Sequence, residues 1–398
     1  MNIMKYWKQK STSRKYVKWL YELFNEGKFH ELPMAKKIKN LPSLDSTKYI
    51  DYGVLDHQHQ IGYFDRIYHC ADTMHGFINP KTNKHIVTDG IFCEHRFCPI
   101  CATKRSLKEF SKITFQMEEL GDQYEYFFLT LTLPNNKDGF REELNLIDKS
   151  LRDFLRYFRY HDDRDTACSG AYGSYEITKS DKGWHPHLHL ILPFKKSDIV
   201  RYEVKEFFNG RRLNKYVQDL TIREWSEAKQ KYVYYTYSHD SIRDRWLETI
   251  KKHSKKYNDY TYFSIGFERC YNIDKGKNEL TKYLIDFADI TSKEDLYIYL
   301  RDSYGIRQRV RRGCFVWTDE FDSKYKKRCD EYRSEMLKDF GTVQNGNFIH
   351  SRETVQCSFK WNDFGLHYTV YFKLKKKKPI LWTDRYEIVD VVYSHNLN

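Results

Sequence analysis

Three histidines stand at alternate positions in the stretch KGWHPHLHLILPF: His185, His187 and His189. Successive side chains of a β-strand point to opposite faces, so the three imidazoles share one face while Leu188 and Leu190 take the other. Pro186 cannot donate to a sheet ladder and belongs at the strand's start, which leaves His187 and His189 as the firm pair. Two neutral imidazoles side by side can hold a divalent ion, and a carboxylate would complete a facial triad. The preceding GAYGSYEIT also reads as a strand, and KSDKG as the turn of a hairpin. With the loop at Ser180 to Gly183, Glu176 falls opposite His187 and on its face; a slip of one residue would turn it away. His185, at the mouth of the strand, is the other candidate for third ligand.

A second reactive group lies in NELTKYLIDFADI, read as a helix with Asn278 as N-cap. Leu280, Leu284 and Phe287 form its apolar stripe. Glu279 and Tyr283 are four apart, hence neighbours on the helix surface, with Tyr283 at the stripe's margin. A phenol there packs its ring and keeps its hydroxyl exposed. Beside a metal that polarises a phosphate it is a candidate nucleophile, with Glu279 a candidate base. Taken alone, a half-buried helical tyrosine is ordinary in a chain with 33 of them. A third cluster is CEHRFCPIC, where Cys93, Cys98 and Cys101 include a CPxC knuckle and Cys70 lies upstream. Four thiolates suit tetrahedral Zn2+ with no open position, a structural site. His69 or His75 could replace Cys70 as fourth ligand. Arg96, Lys104 and Arg105 are candidates for DNA contact.

These residues belong to a chain of 398 residues, 40% hydrophobic and 31% charged, which is globular rather than disordered and long enough for more than one domain. The net charge of +13 points to a polyanion, with a solvated Lys-rich surface as the plainer reading. No apolar run reaches membrane-spanning length and MNIMKYWKQK lacks a signal-peptide core, so a cytoplasmic protein is expected. Four of the nine cysteines are close together, which in a reducing compartment suggests metal rather than disulfides.

The elements that must position the candidates follow from local patterns. SRKYVKWLYELF reads as an amphipathic helix and LPSLDSTKYIDYG as a loop. YEYFFLTLTLP reads as a strand ended by the turn PNNKDG. Leu144, Ile147, Leu151, Phe154, Leu155 and Phe158 mark one face of a helix. TIREWSEAKQKY reads as helix and YTYFSIGFERCYNI as strand. A further helix and a β-like tail broken by KLKKKKP follow residue 296. The order strand, helix, hairpin, strand, helix predicts an α+β domain around an antiparallel sheet. The expected organisation is a basic N-terminal region (1–60), a Cys-rich zinc-binding segment (61–105), a catalytic domain (106–295) and a C-terminal α+β extension (296–398).

FFLTLTLP, HPHLHLIL and ELTKYLIDFADI, in this order, resemble the three signature motifs of HUH endonucleases. The Cys-rich segment and the single tyrosine preceded four residues earlier by glutamate narrow this. Over roughly residues 65–295 the chain resembles the rolling-circle replication initiators of small Gram-positive plasmids. The resemblance implies a ferredoxin/RRM-like HUH sheet with helices on one side. It makes His187 and His189 ligands of a catalytic Mg2+ or Mn2+, with Glu176 as third ligand by analogy with the wider superfamily. Tyr283 becomes the nicking tyrosine and Glu279 the carboxylate that activates water at termination. Some relatives carry a lysine three residues after the tyrosine, where this chain has Asp286; Lys282 is the nearby cation and a candidate DNA contact. The implied activity is metal-dependent nicking of origin DNA, leaving a 5′-phosphotyrosine link and a 3′-hydroxyl primer. Implied partners are single- and double-stranded plasmid origin DNA, a host helicase and a host DNA polymerase, with no membrane. An HUH relaxase or transposase is the nearest alternative, though no second tyrosine lies four residues from Tyr283. A non-enzymatic zinc-binding DNA regulator would explain the charge and the cysteines but leave the histidine strand without purpose.

Overall fold

The computed structural model describes residues 4–35, 63–79, 84–160, 166–200, 206–208, 211–213, 220–270, 289–338, 341–344, 347–350, 355–362, 367–373 and 386–388. The loop expected at 41–53 and the segment carrying Glu279, Lys282 and Tyr283 lie outside the described residues. In chain order, the first elements used below are α1 (Met4–Asn25), β1 (Thr73–Asn79), β2 (Lys84–Gly90), α2 (Pro99–Leu120), β3 (Tyr124–Thr132) and α3 (Arg141–Leu155). Next come β4 (Gly170–Ser180), β5 (Gly183–Lys195), β6 (Leu220–Ser226), β7 (Lys231–Tyr237), α4 (His239–His253) and β8 (Ile265–Arg269). The rest are α5 (Lys293–Ser303), β9 (Arg309–Gly313), α6 (Asp319–Lys338), β10 (Val355–Asn362), β11 (His367–Lys373) and β12 (Tyr386–Ile388). The class is α+β with antiparallel sheets, and the chain divides into two compact units. One comprises Met1–Arg105, Ser292–Leu300 and Asp322–Asn398, the other Ser106–Thr291 and Arg301–Phe321.

The second unit is built on a five-stranded sheet in the order β8-β3-β5-β4-β9, each neighbouring pair antiparallel. Alternation along β3 and β5 sends Phe127, Leu129, Leu131, Leu188, Leu190 and Leu192 to one face. The helical stripe read from the sequence is buried on α3, at Leu144, Ile147, Leu151, Phe154 and Leu155. This helix meets that face: Tyr175 Oη donates to Asp148 at 2.9 Å, and Phe158, just beyond the helix, lies 6.2 Å from Phe194. Trp246 of α4 joins the layer, edge-on to Phe154 at 5.2 Å, and donates its Nε1–H to the Thr132 carbonyl at 3.0 Å.

The opposite face carries Tyr126, Tyr172 and Ile191 at one end and the histidines at the other. Ile113 and Met117 of α2 pack with Tyr126, Tyr172, Ile191 and Phe315 in one buried cluster. The expectation of helices on one side of the sheet is therefore corrected. The apolar end of the second face also needs cover from water, and α2 supplies it.

TIREWSEAKQKY, expected as a helix, is instead the hairpin β6–β7, paired from Lys231↔Ser226 to Tyr237↔Leu220. The turn at Glu227–Gln230 places Gln230 at φ 48°. β-Branched and aromatic residues in both arms suit a pleated surface, and pairing buries Leu220 and Ile222.

In the first unit, α1 buries Tyr16, Val17, Leu20, Leu23 and Phe24, a stripe at helical spacing. Phe64, on a short helix (Tyr63–Tyr68), takes Tyr21 edge-on at 4.9 Å. The sheet of this unit runs β12-β11-β10-β1-β2, so strands from opposite ends of the chain lie side by side. Among the described residues no helix is long and apolar enough to cross a membrane.

Candidate metal centres

Gly183 sets the histidine hairpin. It sits at φ +113°, and a Cβ there would lie 2.6 Å from the Asn136 carbonyl oxygen, so the turn requires glycine. Ser180 then pairs with Gly183, and Glu176 with His187, the register expected from the turn. On the other side of β5, Thr130 pairs with His189 and Thr132 with His187.

One ligand atom from each of Glu176, His187 and His189 lies within 4.8 Å of the others. His189 Nε2 is 2.7 Å from Glu176 Oε2, and its Nδ1 is 3.0 Å from Thr130 Oγ1. If Nδ1–H donates to the hydroxyl, Nε2 keeps its lone pair toward Glu176, as metal binding requires. Phe128 stacks on the His189 ring at 5.7 Å. His189 is 8% exposed and the Glu176 side chain 13%, so charge placed here is poorly screened by water. Two imidazoles and a carboxylate fit a divalent ion with open positions. The mixed donors favour Mn2+ over Mg2+, which prefers oxygen. His185 stands beside this group rather than in it. Its Nδ1 is 2.8 Å from His187 Nε2, burial lowers its pKa, and a hydrogen bond to the Leu133 backbone works in the opposite direction.

In the first unit, the ligand atoms of Cys70, Cys93, Cys98 and Cys101 also lie within 4.8 Å of one another, and all four are free thiols. Cys101 Sγ is 3.5 Å from Cys70 Sγ and 3.6 Å from Cys93 Sγ. A tetrahedron with bonds of ~2.3 Å has edges of about 3.8 Å, so the spacing fits zinc. Backbone N–H groups point at the sulfurs: Cys93 N donates to Cys70 Sγ at 3.4 Å and Glu94 N to Cys101 Sγ at 3.2 Å. Hydrogen bonds from Cys70, the other thiols and Glu94 N–H hold Cys101 below the ordinary thiol range. His69 Nδ1 instead meets Asp72 Oδ2 at 2.5 Å, and His75 is exposed, so neither replaces Cys70 in the cluster.

Two supports of this cluster were not among the candidate ligands. Lys10 of α1 is fully buried and donates to the carbonyls of Cys70 at 2.6 Å and Tyr68 at 2.9 Å, while pairing with Asp72. Burial lowers its pKa against the pull of Asp72. Arg105 donates to the carbonyls of Glu94 at 3.5 Å, His95 at 3.2 Å and Arg96, clamping the knuckle from within. Lys104 lies over the Phe92 ring at 4.3 Å and 3.8 Å from Glu94, and Arg96 is exposed. A lysine in an amphipathic helix reads as solvated surface, and only the fold reveals Lys10 as interior.

Comparison with known proteins adds to this geometry. The profile of the family described as Replication protein matches residues 84–363, more than half of the chain. Similar proteins include "Protein rep" of Bacillus amyloliquefaciens, 32% identical over 147 residues, which covers 36% of this chain and 42% of that relative. "Protein rep" of Staphylococcus aureus is 28% identical over 144 residues, 34% of this chain and 61% of the relative. "Protein rep" of Streptococcus pneumoniae serotype 2 is 27% identical over 179 residues, 42% and 52% respectively. The match spans less than half the length of the two Bacillus relatives. No solved structure matches the chain.

Proposed function

The chain belongs to the replication-protein family, that of plasmid rolling-circle initiators, and from that membership we propose that it starts plasmid replication by nicking one strand of the origin. The observation that carries the reading is the convergence of Glu176, His187 and His189 on one spot at the polar end of a sheet face. A divalent cation held there, Mn2+ or Mg2+, would polarise the scissile phosphate. Tyr283 is the nucleophile in this reading, and its oxygen forms a bond to phosphorus while the bond from phosphorus to O3′ breaks. The electron pair of that bond stays on O3′, which takes up a proton, and the phenol proton passes to a base. The products are a 5′-phosphotyrosine and a free 3′-hydroxyl, which a host polymerase extends behind a host helicase. At termination Glu279 takes a proton from the water that attacks the phosphotyrosine while the bond from phosphorus to the tyrosine oxygen breaks and that oxygen takes up a proton, or a returning 3′-hydroxyl reverses the first step. The roles of Tyr283 and Glu279, and of Lys282 as a candidate DNA contact, rest on the sequence motif. The four cysteines would hold a structural Zn2+; Arg96 and Lys104 are candidates for contact with origin DNA, whereas Arg105 is engaged with the carbonyls of the knuckle.

The test is cleavage of single-stranded origin oligonucleotides in Mn2+ by the wild type and by Tyr283→Phe, with mass analysis of the protein. The wild type should carry a covalent DNA adduct on Tyr283, and the variant should bind the DNA without cutting it. An adduct on another tyrosine overturns the assignment.

A further inference from the structure

Beside the histidine cluster the sheet opens into a cavity of about 460 Å³. One wall is the end of β3 and the residues after it, Thr132, Leu133 and Pro134; the facing wall is the segment Asp259–Ser264 that leads into β8. His185 lines the cavity and also touches His187, 2.8 Å away, so the cavity and the cluster share a boundary residue. The far wall is aromatic. Tyr260 is 41% exposed and Tyr262 65%, whereas Phe263 beside them is buried. Tyr260 is held by two neighbouring rings, Tyr257 at 5.4 Å and Phe263 at 5.6 Å. The wall itself is fixed to the sheet, since Thr132 Oγ1 donates to the Ser264 carbonyl at 2.7 Å. Tyr260 and Tyr262 thus keep ring surface in contact with water at a preformed cavity. Their flat faces suit a flat ligand.

We infer that this cavity is a nucleobase pocket, taking one unstacked base of single-stranded DNA whose backbone runs past Glu176, His187 and His189. The inference rests on the proposed nicking function for the identity of the strand. Three observations select a nucleobase. The cavity lies directly beside residues proposed to meet a phosphate. Its walls offer ring faces rather than cations, which suits a base and not a second phosphate. Asp259 on the same wall is an acceptor, which an amino or ring N–H of a base can meet and a second phosphate cannot.

The probe is a labelled single-stranded oligonucleotide from the origin of the plasmid that encodes the chain. Its binding is followed by fluorescence anisotropy with divalent cations chelated, so that no cleavage is needed. Each base in turn is replaced by an abasic residue, against the wild type, Tyr262→Ala, Tyr260→Ala and Tyr260→Phe. One position should stand out in the wild type, losing about 5- to 150-fold when abasic, the equivalent of ~1–3 kcal/mol of stacking. In Tyr262→Ala and Tyr260→Ala that position should lose its distinction, while Tyr260→Phe, which keeps the ring, should retain it. Tyr262 is exposed enough that its truncation leaves the packing intact, so a folding defect cannot imitate the result. A scan that is flat in the wild type, or unchanged in both alanine variants, overturns the pocket. A sensitive position in a protein that never nicks DNA would sink the nicking function and leave the pocket standing; nicking with a flat scan would do the reverse.

Discussion

Thr130 has no chemistry of its own, yet it meets the nitrogen of His189 that is turned away from Glu176. Its hydroxyl is 3.0 Å from His189 Nδ1, on the side away from the carboxylate. Thr130→Val keeps the shape and removes the partner, so the imidazole is free to change tautomer and to rotate. Mn2+ affinity should fall about 10- to 100-fold, as for other partners that orient a metal-binding histidine, and Thr130→Ser should restore it. Calorimetric titration with Mn2+ checks this without any DNA, and a valine variant that binds like the wild type would show the hydroxyl to be incidental. The contrast between Glu176 and Thr130 marks what a sequence can reveal at this scale. Glu176 is joined to His187 through a short turn, so counting along the hairpin places one opposite the other. Thr130 is 59 residues from His189, with no turn to fix the register between their strands.

Among the elements, α4 shows how backbone chemistry supports the site from behind. Ser238 and Ser241 form a reciprocal cap, with Ser241 N donating to Ser238 Oγ at 3.1 Å and Ser238 N donating to Ser241 Oγ at 3.0 Å. The helix so started carries Trp246, which anchors the carbonyl of Thr132, the residue paired with His187. Ser238→Ala should cost about 1 kcal/mol, seen as a lower urea midpoint with an unchanged m-value; an unmoved midpoint would mean that the cap is redundant. The strands and helices with clean periodicity, β3, α3 and the β4–β5 pair, were legible because each pattern is complete within its own segment. The β6–β7 hairpin was not. TIREWSEAKQKY taken alone offers polar and apolar residues at plausible helical spacing. What decides for strand is the pairing of Tyr234 and Tyr235 with Arg223 and Ile222, half of it beyond that window.

For the whole molecule, the two candidate metal-binding clusters fall in different compact units: the cysteines in one and the Glu176 site in the other. Cys98→Ser should therefore release about one Zn2+ per chain by elemental analysis while leaving Mn2+ affinity within roughly threefold of wild type. Loss of both together would mean that zinc also sustains the second unit. The first unit has a further property that no local reading could supply. β1 pairs with β10 from Thr73↔Lys360 to Ile78↔Val355, so its sheet joins segments about 280 residues apart. On the ribosome, at ~5–20 residues per second, β1 emerges roughly 15–55 s before its neighbour exists. Throughout that interval one edge of β1 stays unpaired, the kind of edge that captures strands from other chains. The second unit has the last strand of its sheet, β9, in hand about 40 residues before β10 begins. Synthesis thus imposes a sequence of assembly, with the sheet beside the cysteines completed last. A ribosome that stalls before Val355 leaves a nascent chain whose second unit has its strands and whose adhesive edge is still open, a product that the cell's chaperones and proteases must meet before it meets another copy of itself.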